Sequence, residues 1–273
     1  MEVKHLEEKA RGLRKQVIEM LYAAQSGHPG SSLSGMDLLV TLFFSGLLKH
    51  DPVKPDMENR DYFILSNGHA CPALYAVLAE RGYFPKDELL KLRQLGAGAQ
   101  GHPHRGSLPG VETSSGSLGQ GLSVGVGLAL ASKLRKNDKR SVYVMMSDGE
   151  QEEGSTWEAV MYAPKEKLDN LVALVDKNGM QIDGFTKKVM PTLDPLAAKY
   201  RAFGWQVQEI DGHNLKAIWK ALVKAQRIKK PAVIIAHTVR GKGVSFMENS
   251  EHWHAGAITP EQYEMAMEEL GSQ

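Results

Sequence analysis

From residue 141 onward, short uninterrupted apolar runs alternate with stretches of helical periodicity, and few folds accept that pattern. Residues 141–146, 171–175, 205–210 and 232–236 read as strands, and residues 155–162, 193–203 and 215–228 as helices between them. Strands this short and this apolar are buried on both faces. Strands separated by helices run parallel, because the chain must cross back over the sheet before each new strand. The expectation is an α/β fold: a doubly wound, mostly parallel sheet with helices on both faces. Earlier in the chain, residues 6–24 show apolar spacing of a helix, ended by an irregular loop at Gly27, Pro29 and Gly30. A helix from Ser34 or Asp37 to residue 48, a strand over 62–65 and a helix over 72–81 follow. Residues 96–121 form a Gly-rich loop too long for a casual connection. An Ala/Gly/Leu-rich helix is expected over 119–134, and a last helix begins near Pro260. No repeat, low-complexity tract or linker interrupts the 273 residues, so one domain over 1–273 is expected.

Charge and cysteine content remove several function classes. The formal net charge of +1 gives no basic field for nucleic acid, and the basic clusters at 133–136 and 227–230 read as solvated helix ends. With Cys71 as the one cysteine, neither an intrachain disulfide nor a cysteine metal cluster can form. The N-terminus is charged from its second residue, unlike a signal peptide. No apolar run approaches the ~20 residues of a membrane span, so a cytoplasmic protein with no membrane partner is expected.

In a doubly wound sheet, ligands bind beyond the carboxyl ends of the strands. The run 141–146 leads into Ser147-Asp148-Gly149-Glu150, and the run 171–175 into Asp176-Lys177-Asn178-Gly179-Met180. Both segments put oxygen ligands on one sheet edge. A hard divalent cation such as magnesium takes oxygen ligands, often one or two protein groups plus phosphate oxygens. Asp148, the Asn178 amide oxygen and a nearby backbone carbonyl suit it, and Gly149 lets the backbone approach a phosphate. Asp-Gly and Asn-Gly are each ordinary turn dipeptides. Their recurrence after consecutive strands is the signal.

Asp148-Gly149, followed about thirty residues later by Asn178, resembles the thiamine-diphosphate fingerprint. Further segments resemble transketolases in particular: Ser26-Gly27-His28-Pro29-Gly30, Ser66-Asn67-Gly68-His69, Gly101-His102-Pro103, and Ser115 to Gly121 with Gly116, Ser117 and Leu118. The run from Glu150 through Glu153 to Glu158, and the late Trp253-His254, complete the set, so the resemblance spans residues 3 to 265. It implies that Asp148, Asn178 and the Met180 carbonyl hold Mg2+ (or Ca2+), and that Gly149, His69 and His254 contact the diphosphate. Gly116, Ser117 and Leu118 would lie along the aminopyrimidine, with Glu150 and Ile182 counted among the cofactor-binding residues. His28, His102 and His254 would line the substrate channel and handle protons on sugar oxygens, as imidazoles near neutral pH can. Glu153 and Glu158 match acidic residues at the family's dimer interface. His5, His50, His104, His213 and His237 receive no role. Two local departures stand out: Ser147 replaces a usual Gly, and Ala255 follows His254 where Gly is usual.

The family's second domain, which carries a ring-activating glutamate and stacking aromatics, has no counterpart in this sequence. The resemblance therefore implies the N-terminal subunit of a split transketolase. It would transfer a two-carbon ketol unit between sugar phosphates only with a separate C-terminal, pyrimidine-binding subunit, two copies of each. A diphosphate-binding subunit of a 2-oxoacid decarboxylating dehydrogenase is the rival enzyme, and a non-catalytic relative the rival class. Ser26 to Gly30 and the channel histidines argue against the first, and intact His28, His69, Asp148, Asn178 and His254 against the second.

Overall fold

The apolar runs form the sheet. The computed structural model describes residues 2–135 and 138–272, so both ends of the expected 1–273 domain and Lys136 of the first basic cluster lie outside the described residues. Strands β1 (Tyr62–Leu65), β2 (Val142–Ser147), β3 (Leu171–Lys177), β6 (Gln206–Asp211) and β7 (Ala232–His237) make one sheet in the order β1-β2-β3-β7-β6, every pair parallel. Two-residue strands β4 (Met180–Gln181) and β5 (Gly184–Phe185) form a separate antiparallel hairpin.

The helices are α1 (Val3–Ala24), α2 (Pro29–Ser34), α3 (Met36–Phe44), α4 (Cys71–Arg81), α5 (Gly121–Leu134), α6 (Gly154–Lys165), α7 (Thr186–Val189), α8 (Leu196–Ala202), α9 (Leu215–Ala225) and α10 (Pro260–Ser272). Side chains alternate across the sheet as strand geometry requires. Phe63, Tyr143, Met145, Leu174 and Ile234 pack in the core under α1, α3, α4 and α9. Ile64, Val144, Met146, Ala173, Val175 and Ile235 pack in a second core under α5, α6 and α8. The sheet is thus doubly wound, as expected.

Two sequence expectations change. Pro29 opens α2 rather than extending a loop, since its fixed φ and missing N–H suit a first helical turn, and His28 becomes the N-cap. The helix expected from Ser34 or Asp37 to residue 48 breaks at Gly35 and ends at Phe44. The β4–β5 hairpin carries no readable period. The stretch 96–121 keeps its loop character, with no helix or strand before Gly121, yet Ala99, Leu108 and Val111 bury themselves to pin it down.

A buried polar chain ties α1, α3 and the β6 and β7 ends together. Arg14 grips Asp37 with two bonds of 3.1 and 2.7 Å, and Asp37 also meets His213 Nδ1 at 2.7 Å. The Val239 N–H donates to His213 Nε2 at 2.8 Å. That acceptor role fixes the proton of a neutral His213 on Nδ1, facing Asp37. Burial pushes the Asp37 carboxyl upward, but Arg14 and His213 prevail and hold it below the usual carboxylate range. Asp37→Ala leaves Arg14 as an uncompensated buried cation, and urea denaturation should show a stability loss of about 3–5 kcal/mol. A loss under about 1 kcal/mol, the surface-pair range, would show that the chain contributes little.

Candidate functional site

The loops after β1, β2 and β3 meet at the carboxyl edge of the sheet around a cavity of about 350 Å³. The edge is where the strand order predicts a ligand. His28, at the start of α2, and His69, in the turn after β1, line it together with His102 and His254. The ring centroid of His28 lies 5.3 Å from His69, 6.0 Å from His102 and 5.3 Å from His254, and His69 lies 5.6 Å from His254. Residues up to 226 positions apart in sequence thus form one cluster (28 to 254).

These imidazoles are neutral. Burial first, then the positive charge of neighbours, pulls His28 down to about 4, His69 to about 3 and His254 to about 4. Burial and Arg93 lower His102 as well. At neutral pH the rings act as hydrogen-bond donors and acceptors and not as fixed cations. His69 Nε2 lies 3.0 Å from Ser31 Oγ, and His28 Nδ1 faces Arg93 Nη2 at 3.5 Å.

Asn178 and Met180 line the same cavity, while Asp148 lies behind the lining. Asp148 is wholly buried; its Oδ1 accepts the Gly149 N–H at 3.1 Å and its Oδ2 the Gly179 N–H at 2.7 Å. That second bond brings the loop after β2 against the loop after β3. Asn178 Oδ1 accepts the Met180 N–H at 3.1 Å, which folds the chain into the β4–β5 hairpin. A Cβ on Gly149 would come within 3.0 Å of Gln181 Cβ, so this glycine permits the close approach of the two loops. Burial, then the neighbouring Asp176, pushes the Asp148 carboxyl up to about 7. No cationic side chain pairs with Asp148 among the described residues, and no three His, Cys, Asp or Glu side chains there group to hold a metal. A cation could be held only by Asp148 with amide and carbonyl oxygens, a set that suits a hard divalent ion.

Gly116, Leu118, Gly149, Met180 and the 70% exposed Ile182 also line the cavity. Glu150 does not. It is fully buried behind the wall, where its carboxylate accepts from Ser66 Oγ, from the Gly119 N–H at 2.8 Å and from the Ser147 N–H at 3.3 Å. Its place is that of a brace joining β1, β2 and the Gly-rich loop. Ser117 is exposed and stands off the wall, Glu153 reaches the rim, and Glu158 sits on the exposed face of α6. Ser31, Gln181 and Arg240 were missed at the sequence level. Arg240 follows β7 by three residues, so the strand-end rule applied to 232–236 would have found it.

Fold and cavity together define the class: an α/β domain that takes a cofactor at the carboxyl edge of a parallel sheet. The chain belongs to the transketolase family, as its thiamine diphosphate binding domain, whose family description matches residues 6–273. It is 42% identical to an apulose-4-phosphate transketolase subunit of Phocaeicola vulgatus, over 99% of this chain and 95% of that one. It is 42% identical to a 6-deoxy-6-sulfo-D-fructose transketolase subunit of a Clostridium species, over 97% and 96%. A transketolase crystal structure from Campylobacter jejuni superposes with a TM-score of 0.93 at 34% identity, covering 99% of this chain but 43% of that one. The chain therefore spans less than half of that full-length enzyme and nearly all of the subunit relatives. Among the described residues no helix is long and apolar enough to cross a membrane.

Proposed function

We propose that this chain is the cofactor-binding subunit of a two-chain cytoplasmic transketolase, moving a two-carbon ketol unit from a ketose phosphate to an aldose phosphate with a C-terminal, pyrimidine-binding subunit, two copies of each. The observation that carries this reading is the convergence of four neutral imidazoles with Asn178 and Met180 in one cavity, and of the buried Asp148 carboxylate just behind them, tied to the same wall through the Gly149 and Gly179 N–H groups. Thiamine diphosphate, when bound, supplies stabilisation of the carbanion that ketol transfer requires. Asp148, the Asn178 amide oxygen and the Met180 carbonyl would hold Mg2+ or Ca2+, for which an unpaired buried carboxylate is a fitting anchor. Gly149, His69 and His254 would meet the diphosphate, and Gly116, Leu118 and Ile182 the apolar parts of the cofactor. Neutral rings suit this work, because each offers one N–H and one lone pair without repelling a second ring. His28 and His102 would bind sugar oxygens and carry protons to and from them.

The test separates the two histidine roles. In the complex with the partner subunit, His28→Ala should leave thiamine diphosphate affinity unchanged while transfer falls by ~10²–10⁴-fold, the range for losing a positioned acid–base group. His69→Ala should weaken cofactor binding as well. Cofactor titrations run beside steady-state rates decide it. Loss of cofactor from His28→Ala with turnover retained at saturation would reverse the assignment.

A further inference from the structure

Arg240 is 1% exposed and sits behind the cavity wall. Its guanidinium donates to His254 Nδ1 and, at 3.3 Å, to the Gln181 carbonyl, while its buried Nε–H has no partner. No ion pair joins it to a carboxylate among the described residues; Asp148, Asp176 and Glu251 act on it only through space. A guanidinium stays charged in any protein environment, so this is a buried cation without a contacting counter-charge.

The seat is built for it. A Cβ on Gly30 would fall 2.6 Å from Arg240 Nε and 2.7 Å from the Trp253 carbonyl, so Gly30 is what leaves room for the side chain. Backbone bonds clamp the surroundings: Gly241 N–H to the Gly30 carbonyl, Asn249 N–H to the Arg240 carbonyl and Gly256 N–H to the Gly27 carbonyl, each 3.0 Å. The residue before Arg240 is held in turn by His213, through the Arg14–Asp37 chain.

Proton accounting then decides the state of His254. Arginine can only donate, so Nδ1 must accept and carries no hydrogen. A neutral ring has one N–H, which falls on Nε2. With Nδ1 turned to Arg240 behind the wall, Nε2 is left for the cavity that the ring lines. We propose that Arg240 is a positioning residue: it holds His254 as the Nε2–H tautomer, so that the ring offers a donor to an anionic cofactor oxygen, and its own charge offsets that anion from behind the wall. The second half of this proposal rests on the diphosphate reading of the cavity; the first half does not. The other titratable groups around the ring are His28, His69 and Asp183. Burial first, then Arg240, keeps the ring uncharged at neutral pH.

The experiment is 15N NMR of histidine-labelled full-length chain, with the His254 signals identified by their loss in His254→Gln. Wild type should show Nδ1 bare and Nε2 protonated across about pH 6–8, where an ordinary histidine would titrate. Arg240→Met should give mixed tautomers, with burial still holding the ring's protonation below its ordinary value of ~6.5. In the complex with the partner subunit, the same variant should raise the thiamine diphosphate dissociation constant by about 10–100-fold, the range for losing a group that orients a ligating histidine, with Arg240→Lys recovering part of it. A wild-type ring carrying its hydrogen on Nδ1 overturns the proposal without need of any variant. An unchanged tautomer in Arg240→Met overturns it too, and a changed tautomer with unchanged affinity overturns the role in binding. Should wild type show the expected tautomer yet bind no thiamine diphosphate, the diphosphate reading fails and the hold of Arg240 on His254 stands.

Discussion

Asp148→Ala should raise the thiamine diphosphate dissociation constant by ~10²–10³-fold in a magnesium-dependent calorimetric titration with the partner subunit present. Removing one member of a buried ionic pair costs about 3–5 kcal/mol, and each 1.4 kcal/mol is about tenfold. The cation and the diphosphate would lose the one anionic protein ligand proposed for them. Asp176 is the instructive contrast, because it also closes a strand and lies wholly buried. Its carboxylate accepts from Ser34 Oγ at 2.6 Å, from Thr238 Oγ1, and from Asn178 Nδ2 at 3.4 Å. Those bonds staple α2 and the β7 end to β3, so Asp176→Ala should reduce folding stability and leave the folded fraction with a smaller loss of affinity. Equal losses of affinity per folded molecule in the two variants would mean that Asp148 is a structural carboxylate like Asp176.

The isolated 273-residue chain should show ketol transfer at least ~10²-fold below that of the reconstituted two-chain complex, since one positioned acid–base group alone is worth 10²–10⁴. The resemblance to transketolases implies a ring-activating glutamate in a further domain, and this chain covers 43% of the Campylobacter jejuni enzyme. Ile182, one of the residues lining the cavity, stands 70% exposed, an apolar side chain that a second polypeptide would cover. Mixing the purified chain with its partner and following the transfer rate against partner concentration should give a saturating rise. Full turnover by the contaminant-free chain alone, unaffected by the partner, would remove the two-subunit reading.

Much of the sheet was legible before any coordinates. The run 171–175 is apolar at every position because both faces of β3 are covered, and that burial writes itself into residue type. Asp148 and Asn178 could be paired because each follows such a run, and parallel strands deliver their carboxyl ends to one edge. Other features leave no local trace. Strands β4 and β5 have two residues each, too few for any period. Glu150 follows Gly149 directly, and only the seat of Ser66 and Gly119 turns its carboxylate into the interior. His213, one histidine among ten, gains its role from Asp37, 176 residues away.

By itself, then, the sequence determined the α/β alternation, the strand edge that carries Asp148 and Asn178, and the loops that present His28, His69 and His102. These rest on burial patterns and backbone restrictions that act over a few residues. Tertiary structure alone decided which way side chains face and which protons they carry. Gly30 reads locally as a loop residue and proves to be the space that Arg240 occupies; Arg240 in turn sets the hydrogen of His254. A tautomer is fixed by the partner across a hydrogen bond, and that partner is brought there by the packing of α2 against the loop after β7.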